Sequence, residues 1–389
     1  MPFKYNVEKR IDHIKALNIL PENIEHITHF IDQRSAQGNS KCRQVKYLST
    51  LGKIGEMVNY DFTKASKKDI EQLCSKINNS EMEDWTKHDY LLTIKVFYKF
   101  LRETDEYPPE VKWIHPRRAK GHKKLPRELL TIEDVKKIAE CTNNPRDRCL
   151  VLILYETGAR ISELLGLKIS DVEFDQYGAR ISFPDDGKTG PRKVRVIACA
   201  PAITNWLRYH PKKDDKDAFL LCGLWNHNHN RGEVLNYDHV NDLLKEAGEK
   251  AGIKKPLNPH HFRHSRATEL AKKLTEANLC KYMGWVIGSR EAATYVHLSG
   301  RDTDKAILEL YGIIEKEKTE IQLKPIDCPR CGIKNDAAAK FCSGCSLGLD
   351  MNAVMQYEKA HQEVIKKIED PDTMETIIEM VMKRLEKKK

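Results

Sequence analysis

The sequence predicts a mainly α protein with a small antiparallel β-sheet, divided into more than one domain. Three observations carry this reading. Apolar residues recur at helical spacing through residues 1–112, and helical segments resume from Tyr237. Two short runs, Ala179 to Phe183 and Lys193 to Ile197, read as strands around a glycine-rich turn, Asp185-Asp186-Gly187-Lys188-Thr189-Gly190. The 389 residues also exceed the roughly 150 that one domain usually takes. Composition sets further bounds. Apolar residues make up 40% and charged residues 32%, which is too much apolar material for a disordered chain. No window approaches 18 consecutive apolar residues, so no membrane-spanning helix is expected. Met1 to Glu8 has no apolar stretch that could serve as a secretory signal, so a cytoplasmic protein is expected. Its 11 cysteines are then thiols or metal ligands rather than disulfides. The formal charge of +9 points weakly to a polyanionic partner.

Taken in order, residues 1–112 form a helical domain. Ser40 to Gly55 reads as one helix. Ser66 before Lys67, Lys68 and Asp69 is a capped start leading into Ile70, Leu73 and Ile77. Thr86, Lys87 and His88 open a further helix, with Tyr90, Leu91, Ile94, Val96, Phe97, Phe100 and Leu101 on its apolar face. Tyr107-Pro108-Pro109 ends that pattern, because proline lacks a donor and restricts its neighbour. Residues 113–127 read as a basic linker. From Lys112 to Arg127 there are seven basic residues and no acid, interrupted by Pro116, Gly121 and Pro126. This is either a solvated tether or a strap that lays Arg117, Arg118, Lys120, Lys123 and Lys124 along a phosphate backbone. Residues 128–312 form a second domain. It opens with a helix at Thr131-Ile132-Glu133-Asp134 and continues with another from Asn144 to Tyr155. Residues 326–348 are a separate cysteine module, and residues 351–389 a helical tail. In the tail Met374, Ile377, Ile378, Val381 and Leu385 make a narrow apolar stripe, read as a packing seam within or between subunits.

The second domain holds a specific constellation. Thr157-Gly158-Ala159-Arg160-Ile161-Ser162-Glu163 joins a glycine break to a helix start. Asn258-Pro259-His260-His261-Phe262-Arg263-His264 follows, then Tyr282-Met283-Gly284-Trp285. Ten residues after Trp285 stands Tyr295. With Lys188 in the hairpin turn, this resembles the tyrosine recombinase (phage integrase) family, whose signature is Arg, Lys, His-x-x-Arg, His or Trp, then Tyr. The resemblance covers most of residues 125–300. It implies a helical, SAM-like core-binding N-terminal domain and an α+β catalytic domain, which clamp double-stranded DNA from opposite sides. It also implies tetramers on paired DNA sites, commonly with an exchanged C-terminal segment.

The chemistry accounts for these residue types. Breaking a phosphodiester needs a nucleophile, charge neutralisation and a proton donor for the leaving oxygen. By resemblance Tyr295 is the nucleophile. Its phenol titrates near 10 when free, so nearby positive charge must favour the phenolate. Arg160 and Arg263 would each offer a planar fork to the phosphate. By resemblance Lys188 is the general acid, and His260 assists proton transfer and holds the phosphate. Trp285 stands where His is usual. Its indole N–H can donate a hydrogen bond but cannot accept or shuttle a proton. Glu163 would orient Arg160, and His264 would play a supporting part, as would His261 and His297. Arg192 and Lys193, on the same hairpin as Lys188, are read as contacts to backbone phosphates. Tyr282 and Tyr311 lie off the expected interval for the nucleophile.

The cysteine module is Cys328-Pro329-Arg330-Cys331, ten residues, then Cys342-Ser343-Gly344-Cys345. Two such knuckles place four thiolates around one tetrahedral Zn²⁺, in a spacing that resembles a zinc ribbon. With no open position the zinc is structural, and by resemblance the recombination chemistry needs no metal. The remaining cysteines, Cys42, Cys74, Cys141, Cys149, Cys199, Cys222 and Cys280, are read as buried thiols. The expected function is a site-specific DNA recombinase that works through a 3′-phosphotyrosyl intermediate. The alternatives are a relaxing enzyme of the type IB topoisomerase kind and a catalytically inactive zinc-containing DNA-binding protein.

Overall fold

The first structural unit, residues 3–123, is all helical in its described part, and the second takes in residues 124–389. The computed structural model describes residues 6–116, 128–184, 190–224, 231–298, 307–308, 311–313, 323–370, 374–375 and 382.

The first unit runs α1 (Val7–Lys15), α2 (Pro21–Ala36), α3 (Lys41–Met57), α4 (Lys67–Asn78), α5 (Asp84–Leu101) and α6 (Pro109–Lys112). Local chemistry sets the starts. Pro21 occupies the first turn of α2, where its missing N–H costs nothing. Ser66 and Asp69 form the reciprocal capping box of α4. Helix α5 starts at Asp84, two residues before the sequence placed it. Phe30, Phe62 and Phe97 meet edge to face at 5.2–5.3 Å in the centre of the core. Pro108-Pro109 does more than stop a helix. It starts the single turn α6, which buries Val111. Ile114 is buried as well, and its carbonyl accepts from the ammonium of Lys95 at 2.8 Å. The helical unit therefore extends past residue 112 into what the sequence assigned to the linker. Arg117, Arg118, Lys120, Lys123 and Lys124 lie outside the described residues.

The second unit is organised around α8 (Pro145–Thr157), buried at every position from Cys149 to Thr157. Asn144 caps it by accepting from the Asp147 N–H. Helices α7 (Ile132–Glu140), α10 (Ala200–Tyr209) and α12 (Pro259–Ala271) pack on α8. Between them lie α9 (Ile161–Leu165) and an antiparallel sheet ordered β1-β2-β3: Val172–Asp175, Gly178–Phe183 and Arg192–Val196. Helices α11 (Tyr237–Lys250), α13 (Glu276–Met283) and α14 (Arg290–Leu298) complete the domain. The sequence showed two of these strands. Strand β1 is a short edge strand whose Glu173 and Asp175 pair with Lys193 and Arg195 of β3; its apolar–charged alternation, Val172-Glu173-Phe174-Asp175, lasts only four residues and buries none of them fully. Gly178 is required, since a Cβ there would stand 2.5 Å from the Val196 carbonyl oxygen.

The cysteine module, with β4 (Ile326–Asp327) and β5 (Lys334–Asn335), leads into α15 (Met351–Glu369). It is not the detached unit the sequence suggested. Leu323, Ala337 and Ala338 join the core that surrounds α8. The buried Asp336 carboxylate pairs with Arg148 of α8 at 3.3 Å, and Arg148 also donates to the Ala338 carbonyl. Arg208 of α10 donates to the Ser343 carbonyl at 3.2 Å. Of the tail stripe only Met374 lies within the described residues. Ile377, Ile378, Val381 and Leu385 do not. The thiol expectation needs one correction: Cys42 is exposed and Cys141 half-buried, while Cys74, Cys149, Cys199, Cys222 and Cys280 are buried. Among the described residues no helix is long and apolar enough to cross a membrane.

Candidate active site

Two left-handed helix ends build the pocket. Helix α8 stops at Gly158 (φ +55°), where a Cβ would come within 2.9 Å of the Met283 methyl. Helix α13 stops at Gly284 (φ +65°). The freed carbonyls at these ends carry the negative pole of each helix and receive cations. Arg263 donates to the Gly158 and Met283 oxygens, each at 2.7 Å, and Arg160 donates to the Gly284 oxygen at 3.3 Å. The Arg263 guanidinium is thus set by backbone carbonyls at both ends of its fork.

Arg160 stands at the start of α9. Its backbone N–H donates to Glu163 Oε2 at 2.8 Å and its guanidinium to Oε1 at 2.7 Å. On α12, whose start is capped by Asn258 and Pro259, the spacing i, i+3, i+4 brings His260, Arg263 and His264 to one face. His260 is exposed, and its ring meets that of His264 edge-on at 4.1 Å. His261 faces the other way, buried, with Nε2 2.7 Å from the Glu128 carbonyl oxygen, as fits a structural role.

Tyr295, on α14, is 5% exposed. Its ring stacks on Trp285 at 5.0 Å, and its hydroxyl meets Nδ1 of His264. Trp285 in turn lies 5.4 Å from the Arg263 guanidinium. Burial, and then the charge of Glu291, push the Tyr295 phenol up to about 12, against the pull of Arg263. At rest the phenol is neutral. Burial, followed by the positive neighbours Arg160 and Arg192, brings Arg263 down to about 10, so it stays cationic near neutrality. The other tyrosines are placed differently. Tyr282 donates to the Glu156 carbonyl at 2.9 Å, and Tyr311 is 75% exposed. Lys188 lies outside the described residues, as does the side chain of His297.

Two residues have parts the sequence did not reveal. Arg192 was read as a contact to a phosphate backbone. Its side chain is instead buried and forks onto Glu163, Nη2 to Oε2 at 2.7 Å and Nη1 to Oε1 at 3.1 Å. Glu156, on α8, accepts the backbone N–H groups of Ile197, Ala198 and Cys199 at 2.7–3.1 Å and so fixes the chain that leaves β3. Neither contact has a local sequence signal, because each spans 29 residues or more. Lys193, by contrast, makes an exposed pair with Glu173.

Glu163 makes a pH prediction. Burial works to raise its carboxyl, but the hydrogen bonds and charge of Arg192, followed by the donors of Arg160, outweigh it and hold it below the usual range. A depressed folded value means stability that is present above the unfolded value of about 4.3 and lost as pH falls through the folded one. The urea midpoint of the wild type should therefore fall more steeply than that of Glu163→Gln as pH drops from about 5 to 3. Parallel curves would show that the carboxylate is not stabilised in this way.

In the cysteine module, Cys328, Cys331, Cys342 and Cys345 bring four sulfurs within 4.8 Å of one another. Cys342 Sγ faces the Gly344 N–H at 3.4 Å and the Asn335 amide at 3.6 Å. The backbone donors of Cys345 and Gly344 lower its thiol below the ordinary value, which favours the thiolate a metal needs. These four cysteines can hold a metal ion.

The carbonyl-anchored Arg263, Trp285 and the buried Tyr295 thus lie in one stack, Arg263 on one side of the tryptophan and the tyrosine against it. Residues 128–301 match the model of the phage integrase family. Tyrosine recombinase XerD of Bifidobacterium longum is 28% identical over 225 residues, covering 53% of this chain and 68% of the relative. Tyrosine recombinase XerA of Pyrococcus furiosus is 37% identical over 159 residues, covering 40% of this chain and about half (52%) of the relative. Among solved structures, a lambda integrase tetramer bound to a Holliday junction shares the fold. Its TM-score is 0.57 at 13% identity, covering 72% of this chain and 78% of that one.

Proposed function

We propose that this protein cuts and rejoins double-stranded DNA through a 3′-phosphotyrosyl link. The observation that carries the reading is the convergence of Arg160, Arg263, His264 and Trp285 on the pocket of Tyr295. The Tyr295 oxygen loses its proton and attacks the scissile phosphorus. The bond to the 5′ oxygen breaks, and Lys188 protonates that oxygen as it leaves. Arg160 and Arg263 hold the non-bridging oxygens and offset the charge that builds on them. His260 assists proton transfer, and Trp285 donates its indole N–H to a phosphate oxygen. Attack by a 5′ hydroxyl of the partner strand reverses the step and restores the phenol. The phosphotyrosine conserves the bond energy. The basic linker residues Arg117, Arg118, Lys120, Lys123 and Lys124 track the DNA backbone, and the chain acts as a tetramer on paired sites, as the junction-bound lambda integrase suggests. Incubation with labelled supercoiled plasmid, followed by a denaturing gel, tests this directly. A label that migrates with the protein supports the reading, and its absence overturns it.

The metal we assign to the four cysteines is zinc, in a structural role. Bonds of about 2.3 Å to a central zinc set tetrahedral sulfurs about 3.8 Å apart, close to the 3.6 Å between Cys328 and Cys345 and between Cys331 and Cys342. Zinc there fixes the knuckles that carry Asp336 and Ala338 to α8. Metal analysis of the full chain should give about one zinc per chain. Chelation should cost about 2 kcal/mol and lower the midpoint of thermal unfolding by about 4–8 °C. Hydrogen exchange should quicken in the first turn of α8 as well as in the module. Exchange confined to the module would show that the metal does not brace the catalytic unit.

A further inference from the structure

Glu163 receives more positive charge than one arginine supplies. Its two oxygens accept from Arg160 on one side and from the full fork of Arg192 on the other. The burial of the three groups is ordered. The Glu163 side chain is 2% exposed, that of Arg192 7% and that of Arg160 27%. Arg192 therefore lies behind the carboxylate and Arg160 in front of it, toward solvent.

The position of Arg192 is fixed from several sides. Its guanidinium sits 4.5 Å from the centre of the Phe183 ring. It fills the space beside Gly284, where a Cβ would come within 2.7 Å of Nη1. The carbonyl of that same Gly284 accepts from Arg160. Arg192 is also the first paired residue of β3, opposite Phe183 at the end of β2, so it ties these strand ends to Glu163 in α9. Its Nε is buried with no hydrogen-bond partner among the described residues, an arrangement that pure packing would avoid.

Charge decides what this arrangement does. A buried carboxylate paired with Arg160 alone would neutralise it, and that guanidinium would have little attraction left for a phosphate. Arg160 and Arg192 sharing one carboxylate leave a net charge of one, and the nearby Arg263, held by backbone carbonyls, brings the pocket to two. A phosphodiester enters with one negative charge and gains a second as the attacking oxygen adds to phosphorus. We propose that Arg192 is a positioning residue for strand cleavage: as the buried counter-ion of Glu163, it leaves the charge of Arg160 available to the scissile phosphate. The proposal rests on the strand-cleavage reading above. It assigns Arg192 no contact with the substrate.

The test uses the full chain and a nicked duplex spanning the cleavage site mapped with the wild-type protein. The duplex is made twice, once with the natural phosphate and once with a neutral methylphosphonate at the scissile position. Arg192→Gln is expected to slow adduct formation about 100-fold on the phosphate but less than about tenfold on the methylphosphonate, which carries one negative charge fewer. Arg192→Lys, which keeps the charge but loses the fork, should fall between Arg192→Gln and wild type on the phosphate. The ratio of the two substrates does not depend on the folded fraction, so partial unfolding of the variant leaves the readout intact. An equal loss on both substrates would mean that Arg192 only holds the fold, and would overturn the proposal. If the wild type forms no adduct with any DNA, the strand-cleavage reading itself fails, and that failure is separate from one confined to the variant.

Discussion

Replacing Tyr295 by phenylalanine is expected to abolish the covalent protein–DNA adduct while leaving DNA binding and folding nearly unchanged. The ring supplies the packing: it stacks on Trp285 and fills the small core formed with Ala267, Ala271, Leu279 and Met283. Phenylalanine keeps those contacts and removes only the hydroxyl that meets His264. The lost hydrogen bond costs about 1 kcal/mol of stability at most, whereas the lost oxygen removes the proposed nucleophile outright. The measurement is a denaturing gel with a nicked substrate that traps the cleaved state. A persistent adduct in this variant would transfer the nucleophile to another residue. Tyr282 is a poor alternative, because its hydroxyl is already committed to the Glu156 carbonyl in a buried site.

Arg263→Lys should be the next most damaging change. One ammonium cannot reproduce a fork that reaches the Gly158 and Met283 oxygens at once. One carbonyl then lacks its donor, which costs about 1–3 kcal/mol of stability. The larger effect is on rate. Removing a preorganised charge from a developing oxyanion typically costs about 10²–10³-fold. Single-turnover cleavage compared with thermal unfolding separates the two. A loss of rate no greater than the loss of folded protein would assign Arg263 to structure alone.

The legible parts of this protein are those written locally. The capping boxes at Ser66 and Thr131 are visible as residue patterns, and both helices start where the patterns say. The order Arg160, His260-x-x-Arg263, Trp285, Tyr295 pointed to one pocket, and the structure brings these residues together around Tyr295 and His264. What the sequence concealed depends on pairs far apart in the chain. Arg192 looks like any basic strand residue until β3 folds over Glu163. Asp336 looks like a surface acid between two cysteine knuckles until it meets Arg148, 188 positions earlier. Edge strand β1 was hidden for a different reason. Its alternation, Val172-Glu173-Phe174-Asp175, is only four residues long and lies at an exposed edge, too short a run to stand out from the chain around it.

The seating of the cysteine module against α8 changes where the catalytic unit ends. The family match stops at residue 301, and a gene trimmed shortly after it would look complete by homology. Such a protein would lack the alanines that close one side of its core, and Arg148 would keep no acceptor at Asp336 or Ala338. It should collect in inclusion bodies or bind hydrophobic dyes, where the longer chain does not. Recombinant shortening of this enzyme therefore has to begin beyond the second cysteine knuckle.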